Sequence, residues 1–144
     1  MNSVIYLLTL EHGKYYVGKT TNIENRIKQH KFGEGSWWTK KYKYINYEVL
    51  ENNADDLDED KYTIKCMIKY GIDNVRGGTF SKLKLSNDEL LVIKKMISHS
   101  KNECFKCGKS GHFAKDCRFQ EPQEGLIFKF YNYLIEKCNG YNSF

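Results

Sequence analysis

Four soft metal donors lie within fourteen residues in the last third of the sequence. Cys104, Cys107, His112 and Cys117 follow the spacing Cys-x2-Cys-x4-His-x4-Cys. Three thiolates and one imidazole complete a tetrahedral zinc shell with no donor left over. A segment this short cannot bury a core, so the metal must supply its folding energy. Gly108 and Gly111 fall where the chain must bend tightly around an ion. A pair of reactive or disulfide-forming cysteines would leave His112 and both glycines without a role. The spacing therefore predicts one structural Zn2+ held by these four residues.

This segment resembles the retroviral-type CCHC zinc knuckle. Phe105 and Phe113 occupy the two positions where such knuckles carry aromatics that stack on unpaired bases. Lys101, Lys106, Lys109, Lys115 and Arg118 surround them, against Glu103 and Asp116. Aromatic faces inside a cationic rim suit single-stranded nucleic acid, which offers a π-face on every base and a charge on every linkage. Phe105, Phe113, Lys106 and Lys115 are thus candidate nucleic-acid contacts.

The chain of 144 residues has room for one ordinary domain and a small appendage. No apolar run approaches the ~20 residues of a membrane-spanning helix, and no cleavable leader is visible, so an intracellular protein without a membrane partner is expected. Five cysteines, three of them in a metal motif, fit a reducing compartment, with Cys66 and Cys138 as free thiols. Residues 1–50 carry eight Lys or Arg against four Asp or Glu, whereas residues 51–60 carry six acids and no base. Cations beside concentrated carboxylates suit an enzyme that binds phosphates and a metal together. Only three of the basic residues are arginines, Arg26, Arg76 and Arg118. A lysine-rich chain that keeps an arginine at a phosphate site keeps a planar bidentate fork that lysine lacks.

The elements that position these residues can be sketched from pattern. Residues 3–10 read as a buried strand and 15–17 as its hairpin partner across a glycine turn. Thr21 or Asn22 caps a helix to about His30. A loop over 32–39, in which Trp37 and Trp38 face opposite sides, leads to a third strand at 44–50. A second helix runs from about Asp55 to Tyr70. Ser86, with Glu89 at capping-box spacing, opens a third that ends near Ser98. A polar linker over 98–103 precedes the knuckle, and 124–137 has the pattern of a final helix or strand. The expected domains are 1–98, 99–120 and a C-terminal segment 121–144.

With these elements in order, Val4-Ile5-Tyr6, Tyr16-Val17-Gly18 and Arg26 resemble the GIY-YIG endonuclease superfamily over roughly residues 3–80, with Val4 where the name has glycine. Tyr70-Gly71-Ile72-Asp73-Asn74-Val75-Arg76-Gly77-Gly78 resembles a branch found in large DNA viruses and some eukaryotes. The resemblance implies an α+β fold, a small three-stranded antiparallel sheet flanked by helices, and phosphodiester hydrolysis. It implies that Tyr6 and Tyr16 orient or deprotonate the attacking water. A tyrosine of pKa ~10 is a poor base near neutrality, so a cation must lower it, and Lys19 is placed for that. Arg26 would grip the scissile phosphate, and His30, one turn later, would contact phosphate or share proton transfer. One carboxylate would hold Mg2+ or Mn2+. The family pattern favours Glu59, whereas a helical wheel built on Leu57, Ile64 and Ile68 turns Asp60 inward. Asn74 and Arg76 would add polar contacts near the phosphate, and Trp38 is a candidate for base stacking.

The combined expectation is a divalent-metal-dependent endonuclease acting on nucleic acid, DNA ahead of RNA, with the knuckle engaging single-stranded or branched segments. A catalytically inactive binding protein on the same scaffold is the alternative. A packaging protein would use knuckle and charge alone.

Overall fold

The computed structural model describes residues 2–119, which fall into two compact units divided between Leu90 and Leu91. The expected element at 124–137 and Cys138 lie outside the described residues. In the first unit a seven-residue strand β1 (Val4–Leu10) turns through Glu11–Gly13 into β2 (Lys14–Thr20). The turn is tight because His12 and Gly13 both take positive φ, 61° and 65°. Then follow α1 (Ile23–Lys31), α2 (Trp37–Lys41), β3 (Tyr44–Glu51), α3 (Asp58–Tyr70) and β4 (Val75–Gly77). A last helix, α4 (Asn87–Ser100), carries the division between the two units.

The sheet is four-stranded, in the order β3-β1-β2-β4, which corrects the three-stranded expectation. β1 pairs antiparallel with β2 and β3, as expected, but β4 adds parallel to β2, with Tyr16 opposite Arg76. This strand was hidden because it is only three residues long and reads as a loop through Arg76-Gly77-Gly78. A second correction lies at 37–41. The two tryptophans sit on a short helix capped by Ser36, whose side chain accepts from the Thr39 N–H, and not on extended backbone.

Caps fall where side-chain chemistry places them. The Asn22 side chain accepts from the Asn25 N–H and starts α1. Ser86 and Glu89 exchange reciprocal bonds, Ser86 N–H to Glu89 at 2.7 Å and Glu89 N–H to Ser86 at 3.2 Å, as the capping box requires.

Alternation along the hairpin sorts its side chains. Tyr6, Leu8, Leu10 and Tyr16 share one face and pack with Ile27 of α1 and Trp38 of α2 into a buried cluster. The opposite face carries Val17 and meets α3, where a side chain on Gly77 would strike Val17 and Thr63. Register matters most at one pair. Tyr6 stands directly opposite Gly18, and a Cβ on Gly18 would overlap the Tyr6 ring and hydroxyl. Tyr6 can therefore lie flat across β2 only because position 18 has no side chain.

Gly18→Ala should force the Tyr6 ring out of place. A destabilisation of about 1–3 kcal/mol is expected, the usual cost of overpacking a closed core, read as a lowered melting temperature. An unchanged melting temperature would show that the ring has another place to go.

Candidate nuclease site and zinc centre

The hairpin register sets both tyrosines on one face, diagonal to each other across β1 and β2, and α1 crosses that face. Arg26 and His30 are one helical turn apart on α1, so they project toward the same place. Arg26 Nε donates to the Tyr6 hydroxyl at 3.2 Å, and Tyr6 lies 2.9 Å from His30 Nε2. With its oxygen accepting from Arg26, Tyr6 can give its own proton to a neutral His30. Arg26 Nη1 also donates to Gln29 at 2.9 Å, which fixes the fork. The Tyr16 hydroxyl neighbours Arg26 and Ser36.

The electrostatics differ from the sequence expectation. Burial pushes Tyr6 up to about 12 and also raises Tyr16, although Arg26 pulls both the other way. Lys19 is not the cation that tunes them. Its amine donates to the Asp55 carbonyl and pairs with Asp56 at 3.0 Å, beside Glu59. His30 is buried, at 3% exposure, and burial followed by the Arg26 charge lowers it from 6.5 to about 4. It is a neutral partner of Tyr6, not a phosphate contact, and its Nδ1 is buried without a hydrogen-bond partner.

The two carboxylates have different neighbours. Glu59 is half-buried, accepts from the N–H groups of Gly78 and Lys19, and raises both tyrosines by its charge. Desolvation, and then the Asp60 charge, hold its own pKa above the usual range. Asp60 instead clamps the turn after β4, accepting from the Thr79 N–H and hydroxyl at 2.7 Å each. Two of the wheel's three reference residues, Leu57 and Ile68, are exposed, at 81% and 37%, so the wheel does not choose between the two acids. The buried face of α3 runs through Thr63, Ile64, Cys66 and Met67; Glu59 lies one turn before Thr63 and Asp60 one turn before Ile64.

Three other expected contacts are engaged elsewhere. Trp38 is buried and donates its indole N–H to the Tyr15 carbonyl at 2.9 Å, while Trp37 is the exposed member of the pair, at 75%. Arg76 is buried, stacks 4.4 Å from the Trp38 ring centroid and donates to the carbonyls of Ile72, Val75, Lys82 and Leu83. It pins the loop after β4 and has no free fork for a phosphate. Asn74 bonds the Tyr70 carbonyl and receives Lys14. The clues missed in the sequence were Gly18 as room for a ring and Thr79 as a partner for an acid.

Comparison with known proteins agrees with this geometry. Residues 2–65 match the GIY-YIG catalytic domain, and residues 102–118 match the zinc knuckle. The chain carries a GIY-YIG domain followed by a CCHC knuckle. A UPF0213 protein of Halalkalibacterium halodurans is 40% identical over 40 residues, which cover 28% of this chain and 43% of that relative. The chain therefore spans less than half the length of the curated relative it matches. No solved structure matches.

In the second unit Cys104, Cys107, His112 and Cys117 bring their donor atoms within 4.8 Å of one another. Cys107 Sγ lies 3.3 Å from His112 Nε2, close to the ~3.5 Å edge of a tetrahedron built on ordinary Zn–S and Zn–N bonds. Gly108 and Gly111 take the left-handed φ of 70° and 94° that the bends demand. Burial opposes the Cys104 thiolate, but N–H groups of Cys107 and Lys106 and the neighbouring thiols bring it down to about 7. The donor set fits zinc. Phe105 and Phe113 are about half exposed, with Lys95 5.7 Å from the Phe105 ring centroid, and Lys106 and Lys115 are exposed. None of the helices among the described residues is long and apolar enough to cross a membrane.

Two outcomes follow. Metal analysis of the purified protein should find one zinc per chain, and Cys107→Ser should release it and unfold 104–117 without shifting the melting transition of the first unit. Zinc-free protein with this segment still ordered would contradict the assignment. His30 binds a proton more readily unfolded, at about 6.5, than folded, at about 4. Its contribution is therefore complete above pH 6.5 and is lost as pH falls toward 4, on the order of 3 kcal/mol in all. His30→Gln should flatten the fall in melting temperature between pH 6.5 and 5. An equal fall in both proteins would place the acid sensitivity elsewhere.

Proposed function

We propose that this protein is an intracellular, divalent-metal-dependent endonuclease that hydrolyses phosphodiesters, with DNA as its first candidate substrate. The observation that carries the reading is the convergence of Arg26, Tyr6, Tyr16 and Glu59 at one end of the hairpin. The exposed knuckle aromatics supply the affinity for unpaired bases. Reducing conditions keep the zinc thiolates intact.

Roles follow from what each group can do. Arg26 presents a planar fork, aligned by Tyr6 and Gln29, to the non-bridging oxygens of the scissile phosphate, where negative charge grows in the transition state. Tyr6 has its hydroxyl between Arg26 and His30, so it acts by orienting Arg26. Tyr16 feels Glu59 as the largest influence after burial and is the group placed to orient the attacking water or take its proton. Glu59 would hold a single Mg2+ or Mn2+, supported by the Gly78 and Lys19 N–H groups, with Asp60 fixing the adjacent turn. A half-buried carboxylate beside two phenols, all raised, is a site that favours added positive charge. Held by Glu59, such a metal would supply charge neutralisation and a lowered pKa for nearby water.

The test is magnesium-dependent nicking of plasmid and of branched DNA. Arg26→Lys keeps the charge but loses the fork, so it should fall close to Arg26→Ala, a loss of ~10²–10³ in rate. Glu59→Gln should abolish cleavage, whereas Asp60→Asn should slow it and lower the melting temperature through the loosened turn. Rates should rise with pH on the alkaline side, because Tyr16 serves in its deprotonated form. A parent that cuts nothing with any divalent metal would leave a binding protein on this scaffold.

A further inference from the structure

Beside the proposed site, and not part of it, a cavity of about 420 Å³ opens at the surface between the end of α1 and the start of β3. Lys31, Phe32, Lys40, Lys43 and Tyr44 line it, and His30 forms part of its wall. All three lysines are exposed, and Phe32 is 80% exposed. Lys40 also lies 5.1 Å from the ring centroid of Trp37, so the exposed indole borders the same surface. Across residues 31–44, Glu34 is the single acid against Lys31, Lys40, Lys41 and Lys43.

We propose that this pocket binds a nucleotide in a single-stranded flank of the substrate, its phosphate among the three lysines and its base against Phe32 or Trp37. Two observations choose the ligand. The charge calls for a polyanion. Two large aromatics left in water next to those lysines call for flat apolar faces, which duplex DNA keeps inside its own stack and a single strand presents. His30 connects the pocket to the chemistry, because this lining residue also bonds the Tyr6 hydroxyl through Nε2 at 2.9 Å. A nucleotide held here sits one imidazole away from Tyr6, within the reach of a strand whose neighbouring phosphate lies at Arg26. The inference rests on the nuclease reading for its ligand class, and it adds a binding position independent of the knuckle.

Trp37 makes the test specific. Trp38 is buried, so solvent-side quenching of indole emission reports on Trp37. The full zinc-loaded chain is titrated with a mixed-sequence single strand, without magnesium or manganese, following tryptophan emission and, with a labelled strand, anisotropy. Single strand should quench emission, equal-length duplex should quench it less, and Trp37→Leu should remove the response. Combined Lys31→Gln, Lys40→Gln and Lys43→Gln should weaken binding roughly tenfold or more and flatten the slope of log K against log salt by about two. Unchanged melting temperatures would confirm that these exposed substitutions leave the fold alone. Strand binding by anisotropy with silent Trp37 emission and an unchanged salt slope would overturn the pocket. Equal quenching by polyglutamate would also overturn it, since that polymer has charge and no bases. Parallel nicking assays separate the two ideas. Cleavage with a silent pocket defeats this inference alone, whereas neither cleavage nor binding defeats both.

Discussion

The contact between Tyr6 and the bare backbone of Gly18 is the constraint on which the site depends. Antiparallel pairing sets the two opposite each other, and the missing side chain lets the ring lie across β2. Only from there does its hydroxyl meet Arg26 and His30. The other half of the arrangement comes from helical periodicity, which puts residues 26 and 30 one above the other on α1. A slip of one residue in the hairpin would turn every side chain to the opposite face and separate the tyrosines from α1 altogether. The long, seven-pair hairpin therefore serves placement as much as stability.

The charges around that contact are unbalanced. Tyr6, Tyr16 and Glu59 each hold their protons more tightly than in water, and Arg26 is the cation that works against this at both tyrosines. Bringing in a phosphate adds further negative charge, so Arg26 alone would have to serve the phosphate, the phenols and the carboxylate. A divalent cation beside Glu59, as proposed, would relieve all of them at once and would favour the deprotonated form of Tyr16. With Arg26 as its cation, the site still favours phenol over phenolate.

Much of this was legible in the chain. Ligand spacing defined the knuckle, since four donors at fixed separations leave little freedom. The capping box at Ser86 and Glu89, the hairpin and the order of helices followed from local rules. What escaped was decided by tertiary neighbours. Glu59 and Asp60 differ by 100° around a helix and each precedes a buried residue by one turn, so only their neighbours, Lys19 for one and Thr79 for the other, tell them apart. Arg76 looks like a phosphate ligand by type, but a parallel strand of three residues carries it into the interior against Trp38. Of two adjacent tryptophans, only packing could say that Trp38 goes inside.

The two units draw their order from different sources, and this shapes what the protein can do. The first has a core of hairpin and helix side chains that requires no metal. Among its described residues the second has four clustered donors, two left-handed glycines and few buried side chains, a set that suits zinc as its framework. Loss of zinc, or oxidation of its thiolates, would then remove the hold on unpaired bases proposed for the knuckle while leaving the Tyr6–Arg26 arrangement intact. Two modest binding surfaces on one chain raise each other's effective concentration, so removing one can cost orders of magnitude in overall affinity without touching the chemistry. Cleavage in such a protein would respond to the metal and redox state of the knuckle through substrate capture, appearing in KM before kcat.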